Sequence, residues 1–266
     1  MYEFFSKKVF ELFSIVLLLV ALPLTVYFSQ KSQDTRQRAQ VETNAANRPI
    51  PSPLYGVTID SISNLSAIVN SLQSHSRMPT TRIVFDENIP ASNYTSAVNQ
   101  IYPVSYIMGE ILDSFYVKNY TLAAYKARTA EYLDAFQDKV DIWEVGNEIN
   151  GEWLGNNADL VAKMTDAYNQ VKARRKIAEL TLYYNPNCWS KQSNEMFTWA
   201  QNNIPADMKQ GLDYVLISYY EDDCNGYHRL QPLVSLHAKP APWEIMLTIG
   251  YRVKLGFRVK AGGKNI

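Results

Sequence analysis

The sequence predicts an α/β fold in which parallel strands alternate with helices, and three observations indicate it. Six strand-like stretches alternate with helix-like stretches, each strand-helix unit taking roughly 25–35 residues. The strand-like stretches are nearly continuous apolar runs, as strands buried on both faces of a parallel sheet require. No glycine-rich phosphate loop follows the first strand, which argues against a dinucleotide site. A closed barrel and a doubly wound open sheet fit this periodicity equally well.

The strands are predicted from short apolar runs that end in polar residues. The first, LYGVTID, ends in Asp60, and the second, TTRIVFD, carries Arg82 in its middle. The third, VSYIMGEIL, carries Glu110 near its end. In chain order the predicted strands cover residues 54–60, 80–86, 104–112, 180–184 and 214–220, with strand four lying between the third and fifth of the six, in the stretch 141–151.

The helices are predicted from apolar residues that recur every three or four positions. Within 121–136, Tyr125, Tyr132 and Phe136 share one face, and Leu160, Met164 and Tyr168 do so within 158–175. The predicted helices cover residues 64–75, 91–102, 121–136, 158–175, 194–203 and 229–237.

Composition limits the number of domains and the partners. A chain of 266 residues suits one large domain or two small ones. Because the formal net charge is zero, we expect no nucleic-acid partner. The two cysteines and three histidines show no ligand spacing, so we expect neither a metal ion nor a cofactor. The sequence leaves the oligomeric state open.

The N-terminal segment is predicted to lie outside the folded domain. Lys7 and Lys8 precede an apolar run of roughly 17–20 residues, near the lower limit for a membrane span. We interpret residues 1–28 as a signal anchor, with a cleaved signal peptide as the alternative. Either places the domain outside the cytoplasm, membrane-anchored or secreted. The polar, then proline-containing residues 29–53 are predicted to form a linker.

The stretch DIWEVGNEING, residues 141–151, carries the main candidate for chemistry. It begins as a short apolar strand and ends in the pair Asn147-Glu148. A polar pair at the end of a buried strand is costly unless it is hydrogen-bonded or used. In a parallel β/α barrel, the carboxyl ends of the strands are where catalytic residues lie. We therefore expect this pair to face a cleft.

The hexad Trp-Glu-Val-Gly-Asn-Glu, residues 143–148, resembles the strand-four signature of the clan A glycoside hydrolases. These are retaining enzymes on a TIM barrel. The resemblance covers about residues 54–220 and implies a TIM-type β/α barrel over 54–266 that is atypical after about residue 238. It also implies that Glu148 is the general acid/base and that Asn147 binds the sugar hydroxyl beside the reacting carbon.

Further site residues are expected at the barrel rim. By the resemblance, Arg82 supports a catalytic carboxylate, with Glu148, Glu110 or a substrate as its expected partners. Tyr220, at the end of strand six, is expected to hydrogen-bond the nucleophile or the sugar. Glu110 and Asn185 follow strands three and five and are candidate substrate-binding groups. Trp189 is a candidate for stacking on a sugar face.

The cysteines form a candidate disulfide. Cys188 and Cys224 follow predicted strands five and six, which are neighbours in a barrel. Outside the cytoplasm such a pair can bridge two loops.

The second carboxyl group of a retaining glycosidase is missing from its expected place. Two carboxyl groups about 5–5.5 Å apart are needed. The candidate strand seven is residues 245–250, and Tyr251 stands where the clan pattern puts a glutamate. Two explanations compete: a truncation or frame shift near Lys239 that leaves strands seven and eight incomplete, or a divergent barrel that has lost its nucleophile.

The predicted function is hydrolysis of O-glycosidic bonds in an extracellular or cell-envelope glycan. If the missing nucleophile is essential, this chain is inactive. The alternative is a non-catalytic carbohydrate-binding barrel displayed at the cell surface. A third hypothesis is an α/β domain unrelated to sugars.

Overall fold

The computed structural model describes residues 48–184 and 189–220, and the backbone of 245–248. Its framework is one parallel sheet whose strand order follows the chain, from β1 to β7. The strands are β1 (Gly56–Ile59), β2 (Thr80–Val84), β3 (Tyr106–Glu110), β4 (Ile142–Glu144), β5 (Ile177–Tyr183), β6 (Tyr214–Ser218) and β7 (Ile245–Thr248). Because the described strands follow chain order without reversal, they contain no switch point of the kind that defines a doubly wound fold. The sheet is a curled, partial barrel.

The helices cross from one strand to the next, and several of them begin at polar caps. They are α1 (Leu65–Gln73), α2 (Thr95–Ile101), α3 (Ser114–Val117), α4 (Leu122–Phe136), α5 (Asn157–Ala173), α6 (Met196–Asn203) and α7 (Ala206–Gly211). The Thr121 side chain caps α4, the Asn156 side chain caps α5, and the Glu195 carboxylate accepts from the backbone of the first turn of α6. Short 3-10 turns cover Ala91–Tyr94, Glu152–Leu154 and Gln192–Asn194.

Alternate residues of β2 to β6 face two different environments. Ile83, Ile107 and Trp143 belong to the large apolar core between the sheet and the helices. The intervening residues point to the inner face of the sheet. There Met108, Ile142, Ile177 and Leu216 form a second, smaller apolar cluster. The inner face is therefore buried as well, which makes any charged residue on it a group that needs a partner.

The residues just before β1 pack against this inner cluster. Ile50 and Leu54 contact it from the beginning of the described chain. The Arg48 guanidinium pairs with the buried Asp141 carboxylate and donates to the carbonyl oxygen of Tyr102 at 2.8 Å. It also lies 4.0 Å from the centre of the Tyr102 ring. The end of the predicted linker is thus held on the domain.

Most predicted elements are confirmed with shifted ends. Strand five begins at Ile177 rather than at residue 180, and the predicted helix 91–102 is a 3-10 turn followed by α2. The short helices α3 and α7 were not predicted, since four to six residues are too few for a visible period. The candidate strand seven forms over Ile245–Thr248 and pairs with β6.

Several predictions fall on residues that the structure does not describe. They concern the anchor at 1–28, the helix at 229–237, Tyr251, and the candidate disulfide between Cys188 and Cys224. None of the described helices is long and apolar enough to cross a bilayer.

Candidate active site

A layer of charged side chains lies on the inner face of the sheet. Glu110, Glu144 and Glu179 occupy matching positions on β3, β4 and β5, because Glu110 pairs with Glu144 and Glu144 with Glu179 in the strand register. All three are at most 1 % exposed. Identical register on neighbouring parallel strands places their side chains side by side. Three buried carboxyl groups in one layer need protons or a cation.

Arg82 of β2 supplies the positive charge. Its Nε lies 2.5 Å from Glu144 Oε2 and its Nη2 lies 2.9 Å from Glu144 Oε1, a two-point contact that matches the fork of the guanidinium. The same Nη2 lies 2.9 Å from Glu110 Oε2. The pKa of Arg82 is raised: burial opposes this shift, but the carboxyl groups around it outweigh burial. Arg82 therefore stays charged and links two of the three glutamates.

Glu179 lies beside Glu144, and both carboxyl groups contact the Thr181 hydroxyl. This hydroxyl donates to Glu144 Oε1 at 2.6 Å and to Glu179 Oε1 at 3.0 Å. Burial raises the pKa of Glu179 well above its ordinary value, repulsion from Glu144 adds to the shift, and the Arg82 charge and the Thr181 hydroxyl oppose it. Burial therefore favours the neutral form of Glu179.

Burial also raises the pKa of Glu110 well above its ordinary value, against the lowering effect of Arg82. Glu110 Oε1 has no hydrogen-bond partner among the described residues. A buried carboxyl oxygen without a donor favours the neutral form of the group.

Glu148 lies beyond this layer, at the carboxyl end of β4. The Ser218 hydroxyl donates to Glu148 Oε1, and the Tyr220 phenol is hydrogen-bonded to the same carboxyl group. Burial raises the pKa of Glu148, while these two hydroxyls and the Arg82 charge oppose the shift. Glu148 keeps partial solvent exposure, unlike the three glutamates below it. It is a carboxyl group with a raised pKa that remains open to a ligand.

A bulge in the chain after β4 aims the Glu148 side chain. Thr181 of β5 donates its backbone N–H to the Gly146 carbonyl at 2.9 Å and accepts from the Ile149 N–H at 3.2 Å. Regular parallel pairing leaves one residue between these two contacts, whereas here Asn147 and Glu148 both lie between them. Glu148 has φ +46°, which is rare for a residue other than glycine. Such strained backbone is common where a side chain must be directed into a site.

Aromatic rings border Glu148 on the β5 side. The Tyr183 ring meets the Trp153 ring edge-on at a centroid distance of 5.3 Å and the Trp189 ring at 5.5 Å. It also lies 6.3 Å from the ring of Tyr220, which is bonded to Glu148. Edge-on packing of this kind is favourable and holds the rings in fixed orientations.

The structure brings four of the predicted site residues together. Arg82 and Glu110 are in contact, and Tyr220 is bonded to Glu148. The main partner of Arg82 is Glu144, which was not predicted. Asn147 is buried beside Glu148, at 7 % exposure. Trp189 packs on Tyr183, and Asn185 lies outside the described residues.

Four residues of the site were missed by sequence reasoning: Glu144, Glu179, Thr181 and Ser218. A sequence signal for Glu144 and Glu179 does exist. Each is an acidic residue inside an apolar strand, two positions after a residue that faces inward. Glu179 escaped because strand five was predicted to begin one residue after it. Within residues 48–184 and 189–220, no group of three or more His, Cys, Asp or Glu side chains is arranged to hold a metal ion.

Comparison with known proteins gives no family for this chain. No family model and no curated protein matches it. Among solved structures, the chain is similar to 2,3-dimethylmalate lyase, described as a member of the PEP mutase/isocitrate lyase superfamily. The TM-score is 0.46 at 8 % identity, over 76 % of this chain and 67 % of that one.

These findings correct the predicted family. Membership of the clan A glycoside hydrolases, and with it the predicted glycoside hydrolysis, is contradicted, because neither a family model nor a curated protein of that clan matches the chain. The physical reason for the error is that a six-residue motif at the end of one strand describes a local turn and its polar pair. It does not describe the remaining strands, on which the other catalytic groups would lie.

Proposed function

We propose that the carboxyl end of the sheet is an active site for acid-base catalysis on a small, oxygen-rich ligand, with Glu148 as the group that gives and takes the proton. The observation that carries the proposal is the position of Glu148. It combines partial exposure, a raised pKa and two hydroxyl partners, Ser218 and Tyr220. A carboxyl group with its pKa moved toward neutrality is suited to proton transfer at physiological pH.

The charged layer beneath Glu148 supports this assignment. Arg82 contributes a positive charge that acts on Glu148, and the raised pKa of Glu179 limits the negative charge in the layer. A ligand that reaches Glu148 therefore meets the hydroxyl groups of Ser218 and Tyr220 rather than a row of carboxylates. Such preorganised polar groups stabilise charge that develops during a reaction. Reactions that would benefit from such groups include additions, eliminations and isomerisations in which a proton is transferred at an atom adjacent to oxygen.

The proposal extends to the fold and the surroundings of the domain. The curled sheet belongs to a TIM-type barrel, since consecutive parallel order and a filled inner face are features of that fold. The ligand is one that offers hydroxyl groups to Ser218, Tyr220 and Glu148, and a carbohydrate is among such ligands. Location outside the cytoplasm, membrane-anchored or secreted, stays a prediction from the N-terminal sequence.

The test compares wild type with Glu148→Gln. Each is incubated in D₂O with a defined mixture of aldoses, polyols, hydroxy acids and oxo acids, and proton NMR follows loss or exchange of each signal. We expect wild type to convert or exchange at least one component and Glu148→Gln to be slower by roughly 10²–10⁴-fold. Glu131→Gln, on the exposed face of α4, is the matched control: its side-chain oxygen still accepts from the Ala91 N–H, so this variant should equal wild type.

A parallel titration makes the outcome decisive. The carboxyl carbon of Glu148 is followed by carbon NMR, and its signal is assigned by its loss in Glu148→Gln. A midpoint in the ordinary range for glutamate, together with no change in any component of the mixture, would refute the proposal.

A further inference from the structure

The side-chain amide of Asn150 holds the end of the strained bulge that carries Glu148 against β5. β4 and β5 pair regularly as far as Thr181, whose backbone contacts Gly146 and Ile149 on either side of the bulge. At the next inward position of β5, Tyr183 would pair with backbone groups of the chain after β4. Instead it pairs with the side chain of Asn150: the Tyr183 N–H donates to Asn150 Oδ1 at 2.7 Å, and Asn150 Nδ2 donates to the Tyr183 carbonyl at 2.9 Å.

The same amide is tied to a second segment. Asn150 Nδ2 also donates to the Asn194 carbonyl at 3.0 Å, and Asn194 Nδ2 returns a bond to the Asn150 carbonyl at 2.8 Å. Asn150 is fully buried and Asn194 is 6 % exposed. Both hydrogens of the Asn150 amide and its oxygen are therefore used, in surroundings where water does not compete.

This arrangement fixes both ends of the bulge. Thr181 holds the chain before and after Asn147-Glu148, and Asn150 holds the two residues that follow against β5. The Gly151 N–H also donates to the Glu148 carbonyl at 2.8 Å. A left-handed backbone costs of the order of 1–3 kcal/mol and persists only where its surroundings over-determine it. The amide of Asn150 is the side-chain group that completes these restraints on the backbone of the bulge.

We propose that Asn150 is a positioning residue, which holds Glu148 in its strained conformation and thereby keeps the Glu148 carboxyl partly buried against Ser218 and Tyr220. The inference rests on the proposed function, since positioning matters for catalysis only if Glu148 transfers a proton. It does not need a substrate for its test. Asn150 touches no reacting group; it acts through the backbone of the bulge.

The test is the titration of Glu148 in full-length variants, read by carbon NMR of labelled glutamate. In Asn150→Ala the bulge relaxes and water reaches the carboxyl group, so the titration midpoint falls toward the ordinary value by about half a pH unit or more. Asn194→Ala, which leaves the contacts between Asn150 and Tyr183 in place, should give a smaller shift in the same direction. Asn203→Ala is the matched control: its amide also donates to a backbone carbonyl, that of Trp199, but at the end of α6. It should leave the midpoint unchanged.

The outcomes separate the two proposals. A folded Asn150→Ala protein with the wild-type midpoint overturns the positioning role, whatever the turnover results are. If Asn150→Ala does not fold, Asn194→Ala decides, and an unchanged midpoint there overturns the inference. An ordinary midpoint in wild type would instead refute the proposed function.

Discussion

At the scale of single residues, Glu179 and Glu148 show how one side-chain type takes two states on one face of a sheet. Glu179 is fully buried beside Glu144 and hydrogen-bonded to the Thr181 hydroxyl. Glu148 is partly exposed and bonded to Ser218 and Tyr220. Burial raises the pKa of both groups, but only Glu148 can meet a ligand. The two carboxyl groups therefore differ in their access to a ligand, and the access of Glu148 depends on the bulge after β4.

The raised pKa of Glu179 makes stability depend on pH. Its pKa is raised in the folded state, so the folded protein binds more protons than the unfolded chain above about pH 4.5. Stability then falls as pH rises through that window. We expect Glu179→Gln, which is neutral at every pH, to melt at a higher temperature than wild type at pH 8. Its melting temperature should also change less between pH 5.5 and pH 8.

Thermal melts at both pH values check this prediction, with Glu131→Gln as the exposed control. Glu110 has a pKa raised for the same reason, so part of the slope should remain. An unaltered slope together with a lower melting temperature at pH 8 would show that Glu179 is ionised in the folded protein.

At the scale of elements, the segment before β1 behaves as part of the domain. Arg48 contacts the Asp141 carboxylate and the carbonyl oxygens of Tyr102 and Ser105, at the amino-terminal side of β3 and β4. Asp141 is fully buried and also accepts from the Ile107 N–H at 2.8 Å. The segment thus ties together the two strands on which Glu110 and Glu144 lie.

We expect Arg48→Ala to lower the free energy of unfolding by about 3–5 kcal/mol, because it removes the cation that pairs with the buried Asp141 carboxylate. Urea denaturation measures the change. Arg174→Ala is the matched control, since Arg174 pairs with Asp134, whose side chain is 65 % exposed. Removing such a surface pair costs about 0–1 kcal/mol. Equal losses in the two variants would mean that the Arg48 contact contributes no more than a surface pair.

At the scale of the whole domain, two cores hold the sheet. The outer core lies between the sheet and the helices, and the inner cluster lies on the opposite face, below the charged layer. Phe85 belongs to the outer core, is fully buried, and has the rings of Tyr94 and Tyr132 within 4.9 Å and 4.5 Å of its own. The outer core contributes most of the buried apolar surface and should dominate the stability of the domain.

Phe85→Ala should cost about 3–5 kcal/mol, since it leaves a cavity among rings that cannot close it. For a domain of this size we expect the melting temperature to fall by roughly 10 °C. Phe115→Ala is the control, because Phe115 is 58 % exposed and its loss should cost less than about 1 kcal/mol. A Phe85→Ala protein that melts like the Phe115 variant would contradict the assignment of the outer core.

The sequence by itself determined the alternation of strands and helices, the position of Glu148 after β4, and the placing of Arg82 and Glu110 on strands of the same sheet. Periodicity and chain order are local properties, so they can be read without tertiary contacts. The motif at 143–148 was also local, and for that reason it led to the wrong family.

Only the tertiary structure decided which groups meet. Three contacts join residues from different strands or loops: Arg82 pairs with Glu144, the Thr181 hydroxyl donates to Glu144, and the Asn150 side chain hydrogen-bonds the Tyr183 backbone. Strand register sets these contacts, and a shift of one residue would send each side chain to the other face of the sheet. Register is fixed by the packing of the whole domain, which no single stretch of the sequence contains.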